Sequence, residues 1–483
     1  MLFKSFNMEV IPVKEMLRQI PPVHEIQRNS DIIAIQERLD LTREKIKHWI
    51  QLEIDDVRHL ILANKLQITR AGDLEQYIIN QVKKKCIEWG EDNLKPAINA
   101  TGTILHTNLG RARLSEEAID HVVKVAKHYS NLEYNVTKGH RGSRHQIVEE
   151  IIKEVTGAEG ALVVNNNAAS VYLTLRALAK DHEVIVSRGE LVEIGGSFRV
   201  SSIMSESDAN LVEVGTTNKT HEYDYLNAIS EQTAMILKVH TSNFKVVGFT
   251  EQIKTKKLAS IADQNDLIYY EDLGSGALID FKDQGVGDEP VVKDVLEAGA
   301  HLVSFSGDKL LGGPQVGIIA GKKELIDRLK QHQLARVLRV DKMTLAALET
   351  TLKSYAKGTQ AALYQIPAVR DILRSASEIK EQVQAFMKKS HLYTMFSFDI
   401  RNSYATIGGG TMPEEQIESI GVTVQCEVLS PEKLENRLRN HRTPVIGRFL
   451  DEQLFLDFRT LDSSDIEQLH QTFSELNQEL KVM

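Results

Sequence analysis

The stretch from His301 to Gly317 constrains the fold more than any other part of the sequence. It reads His-Leu-Val-Ser-Phe-Ser-Gly-Asp-Lys-Leu-Leu-Gly-Gly-Pro-Gln-Val-Gly. The pattern predicts a short strand over Leu302–Phe305, a turn around Lys309 and an apolar segment over Val316–Ala320. Small neighbours leave room for a flat ligand beside the lysine, and partial burial lowers the pKa of an amine. We therefore interpret Lys309 as a covalent attachment residue, the alternative being an ordinary surface lysine.

A second stretch supplies a carboxylate. Ile-Tyr-Tyr-Glu-Asp-Leu-Gly-Ser-Gly, residues 268–276, predicts a strand that ends at Asp272 and is followed by glycines. Ligands of open α/β sheets bind at the carboxyl ends of the strands. A carboxylate beneath a pyridine nitrogen keeps that nitrogen protonated and makes the ring an electron sink. Asp272, then about one βα unit, then Lys309, with a phosphate-binding hydroxyl at Ser306, is the order of aminotransferase-like enzymes, so we predict pyridoxal 5'-phosphate as the cofactor.

An asparagine-rich turn predicts where the cofactor phosphate binds. The buried strand Ala161–Val164 precedes Asn-Asn-Asn-Ala-Ala-Ser, residues 165–170, and a helix through Leu178. The first turn of a helix presents free backbone N–H groups to an anion. A plain asparagine cap is the alternative. The residues expected to line the phosphate are Asn167, Ala168 and Ala169.

The chain divides into three predicted domains. Residues 1–95 contain few glycines, and apolar residues such as Ile32, Ile35 and Leu39 recur at helical spacing, which predicts a helical domain. Beyond Lys95-Pro96, strands and helices alternate over residues 96–357, which predicts an α/β domain with a mainly parallel sheet. Residues 358–483 are predicted to form a small α+β domain. Its expected strands are Phe396–Ile400, Val422–Val428 and Leu454–Phe458.

Charge, hydrophobicity and cysteine content argue against several classes of protein. The 483 residues carry a formal net charge of −9, which taken alone argues against a nucleic-acid partner without excluding a local basic cluster. No run approaches the ~20 apolar residues of a membrane helix, and the first residues lack the apolar core of a signal peptide. Cys86 and Cys426 are far apart and form no CxxC motif. We therefore predict a cytoplasmic protein with neither a disulfide nor a metal site.

Several long runs resemble a single family. They are INATGTILHTNLGRA (98–112), SRGELVEIGGSFR (187–199), LVEVGTTN (211–218), HTSNFKVVGFT (240–250), the lysine stretch itself, VLRVDKMTLAAL (337–348) and TPVIGR (443–448). These runs are similar to those of the bacterial L-seryl-tRNA(Sec) selenium transferases (selenocysteine synthases), which are fold type I pyridoxal phosphate enzymes. The resemblance covers essentially the whole chain.

The resemblance implies a reaction and its partners. Seryl-tRNA(Sec) would lose water by β-elimination through an aminoacrylyl intermediate, and selenium from selenophosphate would then add to give selenocysteinyl-tRNA(Sec). The N-terminal domain would bind the tRNA, for which Lys83–Lys85 form the densest basic run there, although a solvated helix face is the alternative. The family also implies a homo-oligomer, commonly a decamer built as a pentamer of dimers. The selenophosphate-binding residues implied are Arg111, Arg336 and Arg339.

Two rival functions remain open at this point. A pyridoxal phosphate lyase acting on a free amino acid or amino sugar acid would keep Lys309 and Asp272, but such proteins tend to lack the helical N-terminal region. A non-catalytic tRNA-binding or scaffold protein would give no reason for the lysine and aspartate to occur together. The sequence assigns no role to the remaining polar candidates, which are His106, Glu190 and His240.

Overall fold

The chain folds into two compact units, Met1–Pro96 and Ala97–Met483. The structure, a computed structural model, describes residues 13–66, 71–191, 193–194, 198–242, 244 and 246–482. Within those residues, no helix is long and apolar enough to cross a membrane. Each unit has its own hydrophobic core, so each is described separately.

The N-terminal unit is helical. The apolar residues at helical spacing, among them Ile32, Ile35 and Val57, are buried in one shared core. Asn29 and Thr42 cap the third and fourth helices by accepting backbone N–H bonds at 2.9 and 3.3 Å. The helices are α1 Val13–Arg18, α2 Val23–Gln27, α3 Ser30–Arg38, α4 Arg43–Leu62 and α5 Ala71–Gly90.

All of the described strands lie in the second unit. The described strands are β1 Ile98–Asn99, β2 Tyr134–Asn135, β3 His140–Arg141, β4 Gly160–Val164, β5 Glu183–Ser187, β6 Glu193–Ile194, β7 Phe198–Arg199, β8 Asn210–Val214, β9 Thr233–Val239, β10 Ile268–Gly274, β11 Leu302–Ser306, β12 Gly317–Gly321, β13 Phe396–Thr406, β14 Gln416–Cys426, β15 Val445–Ile446, β16 Arg448–Leu450 and β17 Gln453–Asp457.

The central sheet is mainly parallel, as predicted. Its strand order is β4-β12-β11-β10-β9-β5-β8. The pairs that join β11, β10, β9, β5 and β8 are parallel, whereas β12 is antiparallel to β11 and to β4. The connection from β11 to β12 spans only residues 307–316, which is too short for the crossover helix that a parallel strand needs. This short connection is the turn that carries Lys309.

Helices cover both faces of the central sheet. Apolar residues from the two faces form separate cores, one that includes Ile236 and Tyr269 and one that includes Leu237 and Tyr270. The helices of this unit are α6 Glu116–Lys127, α7 Gln146–Thr156, α8 Asn167–Leu178, α9 Val200–Glu206, α10 Glu222–Ala228, α11 Thr255–Gln264, α12 Val292–Glu297, α13 Lys323–Gln331, α14 Gln333–Val337, α15 Lys342–Ala356, α16 Thr359–Gln365, α17 Pro367–Leu373, α18 Ala376–Ser390, α19 Pro431–Arg439 and α20 Ser463–Val482.

The C-terminal segment has a four-stranded antiparallel sheet in the order β13-β14-β17-β16. The strands β13 and β14 each have eleven residues, because they pair along their whole length as a hairpin. The predicted strands Phe396–Ile400 and Val422–Val428 were therefore wrong in extent. Ile98 packs in the core of this segment, and β1 pairs with β15. Chain from either side of the predicted boundary at 357/358 thus shares one core, and that boundary stays a prediction.

Candidate active site

Asp272 lies at the carboxyl end of β10, where it accepts three hydrogen bonds. The donors are the amide of Asn167 at 2.7 Å, the hydroxyl of Ser304 at 3.2 Å and the backbone N–H of Gly274 at 3.2 Å. All three bonds go to Oδ1, so within the described residues Oδ2 is left without a donor. Burial raises the pKa of Asp272, and these donors together with the nearby charge of Lys309 oppose the rise.

Lys309 is buried in the turn after β11, with 9% of its surface exposed. Its Nζ donates to the carbonyl oxygen of Gly410 at 3.4 Å, and within the described residues no carboxylate lies close enough to form an ion pair with it. Burial is the main cause that lowers the pKa of Lys309, and the positive charge of Arg111 adds to that effect. A buried amine with a lowered pKa is suited to react with an aldehyde.

Tight backbone contacts fix the turn around the lysine. The N–H of Gly307 donates to Val316 and the N–H of Gly312 donates to Lys309, both at 2.9 Å. Ser306 is the buried last residue of β11, and its carbonyl would lie 2.8 Å from a Cβ at position 276. Gly276 has φ +74°, so a glycine is required there for both reasons.

Helix α8 begins beside Asp272. Asn166 caps the helix by accepting the N–H of Ala169 at 2.9 Å, so one donor of the first turn is used internally. Asn167 is the first helical residue, and its amide group reaches the carboxylate of Asp272. Ala168 follows in the same half-buried first turn. The structure thus brings the predicted phosphate-lining residues, the aspartate and the lysine to one edge of the sheet.

The predicted arginines occupy two separate places. Arg111 adopts a left-handed conformation (φ +57°), and its Nη1 donates to Asp308, the residue before the lysine, at 3.1 Å. Arg336 and Arg339 instead line a cavity of about 320 Å³. Basic residues of the glycine-rich loop before α7 and of the end of α13 share this cavity. These additional residues are Arg141, Arg144, His145 and Lys330.

One carboxylate lies among the arginines of this cavity. Glu133 accepts hydrogen bonds from Arg144 at 2.6 and 2.9 Å, and lies 3.6 Å from Arg141 and 3.7 Å from Arg339. The hydrogen bond from Arg144 is the main cause that lowers the pKa of Glu133. The cavity therefore retains a surplus of positive charge, which is suited to an anion.

Comparison with known proteins identifies the family. Residues 97–462 match the model of the L-seryl-tRNA selenium transferase family. The chain belongs to this family. An L-seryl-tRNA(Sec) selenium transferase of Clostridium botulinum (strain 657 / Type Ba4) is 45% identical over 465 residues, which cover 96% of this chain and 99% of the relative. The enzyme of the same name from Alkaliphilus oremlandii (strain OhILAs) is 44% identical over 473 residues, with the same coverage of both chains.

Solved structures agree on the fold. A D-glucosaminate-6-phosphate ammonia-lyase superposes with a TM-score of 0.52 at 22% identity, covering 80% of this chain and 96% of that one. This similarity confirms the predicted fold class, an α/β aminotransferase-like fold. Membership of the selenium transferase family makes the chain a pyridoxal phosphate-dependent transferase.

Unpartnered polar atoms at the site fit a ligand of this kind. Within the described residues, His106 Nδ1, Arg111 Nε and Asn167 Oδ1 are buried without a hydrogen-bond partner. Two of them belong to residues in contact with Asp272 or with the residue before Lys309. Buried polar groups without partners are rare unless a ligand or water completes them. Within the same residues, no group of His, Cys, Asp and Glu could hold a metal ion.

Glu190 is a buried carboxyl group just beyond the end of β5, where it contacts the last residue of the neighbouring strand β9. Its Oε2 accepts the backbone N–H of Val239 at 3.0 Å. The strand β5 ends at Ser187, so the side chain of Glu190 replaces the strand carbonyl that would otherwise accept this bond. Burial raises the pKa of Glu190 to about 7. The chain thus carries, just beyond β5, a buried carboxyl group whose pKa burial raises toward neutrality.

The two histidines contact different residues of the site. His240 donates its backbone N–H to Asp272 at 2.8 Å, and its Nε2 lies 3.3 Å from Glu289. It lines a cavity of about 380 Å³ together with Ser242 and Glu289. His106 accepts the backbone N–H of Arg111 through its carbonyl oxygen.

The sequence interpretation missed two residues that the structure places here, Ser304 and Gly410. Ser304 lies inside the predicted strand, but only the register of two strands distant in sequence shows that it stands opposite Asp272. Gly410, which accepts from Lys309, comes from the C-terminal segment. The run of three glycines at 408–410 was a usable signal, since such runs allow close approach of the backbone to a ligand.

Proposed function

We propose that this chain converts L-seryl-tRNA(Sec) into L-selenocysteinyl-tRNA(Sec), with pyridoxal 5'-phosphate as cofactor and selenophosphate as selenium donor. The observation that carries the proposal is the buried amine of Lys309 beside the buried carboxylate of Asp272, in a chain of the L-seryl-tRNA selenium transferase family. Lys309 would hold the aldehyde carbon of the cofactor, Asp272 its ring nitrogen, and the first turn of α8 with Ser306 its phosphate.

The chain's own groups would move the protons of the reaction. The bound cofactor supplies an electron sink for the charge that develops on Cα of the seryl group. Lys309, freed as an amine with a lowered pKa, removes the Cα proton, and that proton leaves with the hydroxyl of Cβ as water. Selenium then bonds to Cβ as its bond to phosphorus breaks and the phosphoryl group passes to water as phosphate. The proton released by that water is taken up by Lys309 and delivered to Cα.

Arginines would bind the anionic donor. Arg336 and Arg339 line the basic cavity, and Arg111 lies beside Asp308 next to the lysine. A guanidinium group presents paired donors that match phosphate oxygens. We propose that the three arginines act on one selenophosphate. Their separation within a single chain supports a pocket completed where two subunits meet.

We also propose that residues 1–95 bind the tRNA, that residues 96–357 form the cofactor domain and that residues 358–483 form a small domain. Lys83, Lys84 and Lys85 each have an acidic partner within 4 Å. This pairing favours recognition by distributed contacts to RNA shape and backbone over a single basic run.

We further propose a cytoplasmic homo-oligomer, a pentamer of dimers. Exposed apolar side chains on and after α6 support an interface between copies, because exposed apolar clusters mark association surfaces. Light scattering distinguishes a monomer of 54.3 kDa from a dimer and a decamer. The exposed residues are Ile119, Val123, Tyr129, Tyr134 and Val136.

The test compares the purified protein with its Lys309→Ala variant. We expect the wild type to show the visible absorption band of bound pyridoxal phosphate and to form selenocysteinyl-tRNA(Sec) from seryl-tRNA(Sec) and selenophosphate, whereas the variant shows neither. A band without turnover of the tRNA substrate would instead indicate a lyase acting on a free amino acid. No band after addition of pyridoxal phosphate would exclude both enzymes.

A further inference from the structure

A chain of hydrogen bonds joins three buried side chains in the central sheet. The hydroxyl of Tyr270 lies 2.6 Å from the hydroxyl of Ser304, which in turn donates to Asp272 Oδ1 at 3.2 Å. Tyr270 and Ser304 are both 0% exposed. We propose that Ser304 and Tyr270 are positioning residues that orient Asp272 and hold it as the carboxylate that pairs with the cofactor. This inference rests on the proposed function.

The strand register creates this arrangement. Asp272 on β10 and Ser304 on β11 are direct partners in a parallel pair, so their side chains share one face of the sheet. Tyr270 precedes Asp272 by two residues and therefore points to the same face. From α8, Asn167 reaches Asp272, and Thr174 is buried about two turns further along the same helix. The chain of bonds is thus enclosed between the sheet and this helix.

The direction of the hydrogen bonds follows from the number of protons. A serine hydroxyl carries one proton, and a carboxylate can only accept. Ser304 therefore uses its proton for Asp272, and Tyr270 must donate to Ser304. A hydroxyl that accepts a hydrogen bond becomes a stronger donor, since successive bonds polarise one another. The phenol of Tyr270 thereby acts on the carboxylate through Ser304.

These hydrogen bonds affect which oxygen of Asp272 is free and how readily its carboxyl group is protonated. Its three donors occupy Oδ1, which leaves Oδ2 for the ring nitrogen of the cofactor. Burial favours the neutral acid, and the hydrogen bonds oppose that effect. Among the described residues, the titratable groups that face this carboxyl are Lys309 and Tyr270, while α8 presents the uncharged amide of Asn167. Without the bond from Ser304, the acid would stay protonated to higher pH and could not balance a positively charged ring.

The neighbouring tyrosine provides a matched control. Tyr269 lies on the same strand, is also 0% exposed, and donates to Glu271 at 2.6 Å on the opposite face of the sheet. Removing the hydroxyl of Tyr269 or of Tyr270 deletes one buried hydrogen bond from β10. Only the change at Tyr270 affects the bonds to Asp272. A loss of stability common to both variants can therefore be separated from an effect on the cofactor.

The experiment measures binding of pyridoxal phosphate to the full-length apoenzyme between pH 5 and 9, for wild type, Ser304→Ala, Tyr270→Phe, the double variant and Tyr269→Phe. We expect the acid limb of the binding profile to move up by about one pH unit in Ser304→Ala, since a hydrogen bond to a charged group is lost. Tyr270→Phe should move it by about half a unit. Tyr269→Phe should leave it in place.

The double variant tests whether Tyr270 acts through Ser304. We expect its binding profile to match that of Ser304→Ala, because the phenol has no route to Asp272 once the serine hydroxyl is gone. In turnover, both single variants should lower kcat more than they change KM for seryl-tRNA(Sec).

Two results would overturn the proposal. One is a limb that stays at the wild-type pH in Ser304→Ala; the other is a Tyr270→Phe effect that persists undiminished in the double variant. If Ser304→Ala does not fold, Tyr270→Phe decides the matter, and a profile equal to that of Tyr269→Phe overturns the proposal. The cofactor titration uses no tRNA, so failure of the wild type to make selenocysteinyl-tRNA(Sec) would contradict the proposed function without deciding the inference.

Discussion

Single residues at this site act through burial and a small number of hydrogen bonds. Burial lowers the pKa of Lys309 and raises that of Asp272, which brings the two values toward each other. A reactive amine and a carboxylate whose charged form is supported by its donors and by the nearby lysine follow from the same water-poor environment. The sequence indicated both residues, because each lies at or just after the carboxyl end of a strand that a local pattern specifies. It did not indicate Ser304 as a donor, because that contact depends on pairing between strands about thirty residues apart.

Arg336 and Arg339 allow a residue-level test of donor binding. We expect Arg336→Ala or Arg339→Ala to raise KM for selenophosphate about tenfold, because each removes a charge-assisted contact to an anion, while kcat changes less. Steady-state kinetics with varied selenophosphate measures this effect. Arg328 is an exposed arginine of the preceding helix outside the cavity, and Arg328→Ala serves as the control. Equal KM values in all three variants would contradict the assignment of the cavity to the donor.

At the scale of elements, the features that depend on neighbouring residues were predicted better than those that depend on pairing between distant strands. The strand that carries Asp272, the strand before Lys309 and the helix after the asparagine turn all occur, because each is specified by neighbouring residues. The two strands extend beyond their predicted ends, to Gly274 and Ser306. The extent of the hairpin β13–β14 was wrong, since its length is set by pairing between two strands. The basic loop at 139–145 and Arg336 converge on one cavity through packing that no local pattern encodes.

The buried carboxyl group of Glu190, which accepts a hydrogen bond from the end of β9, predicts how the stability of the fold depends on pH. The folded chain retains a proton on Glu190 up to about pH 7, whereas an unfolded chain releases it near the ordinary value of 4.5. Wild-type stability therefore falls as the pH rises through this window. Glutamine stays neutral, so we expect Glu190→Gln to gain up to about 3 kcal/mol relative to wild type between pH 4.5 and pH 8. Urea unfolding of both proteins at the two pH values measures the gain. A difference that does not change with pH would contradict it.

At the scale of the whole molecule, charge is divided between the two units. Residues 1–96 contain fifteen Lys and Arg and fifteen Asp and Glu, so the remaining residues carry the entire net charge of −9. Repulsion of RNA by a chain of this charge is thus concentrated in the second unit. A neutral helical unit with an exposed tryptophan, Trp89, against which Lys45 stacks at 4.1 Å, is better suited to contact the tRNA.

Removal of the N-terminal unit tests whether that unit is the one that contacts the tRNA. Lys309, Asp272 and the described residues that hydrogen-bond to their side chains lie within 97–483, which has its own hydrophobic cores. We therefore expect the fragment 97–483 to bind pyridoxal phosphate and show its visible band, but to lose at least tenfold in kcat/KM for seryl-tRNA(Sec), since each 1.4 kcal/mol of lost tRNA contact reduces this value tenfold. The full-length chain, assayed in parallel, provides the reference.

A fragment with unchanged kcat/KM would move tRNA recognition into the second unit, where the acidic surplus lies. Recognition there would require clustered basic residues such as those around Arg336 and Arg339, and the charge-neutral helical unit would need a different role.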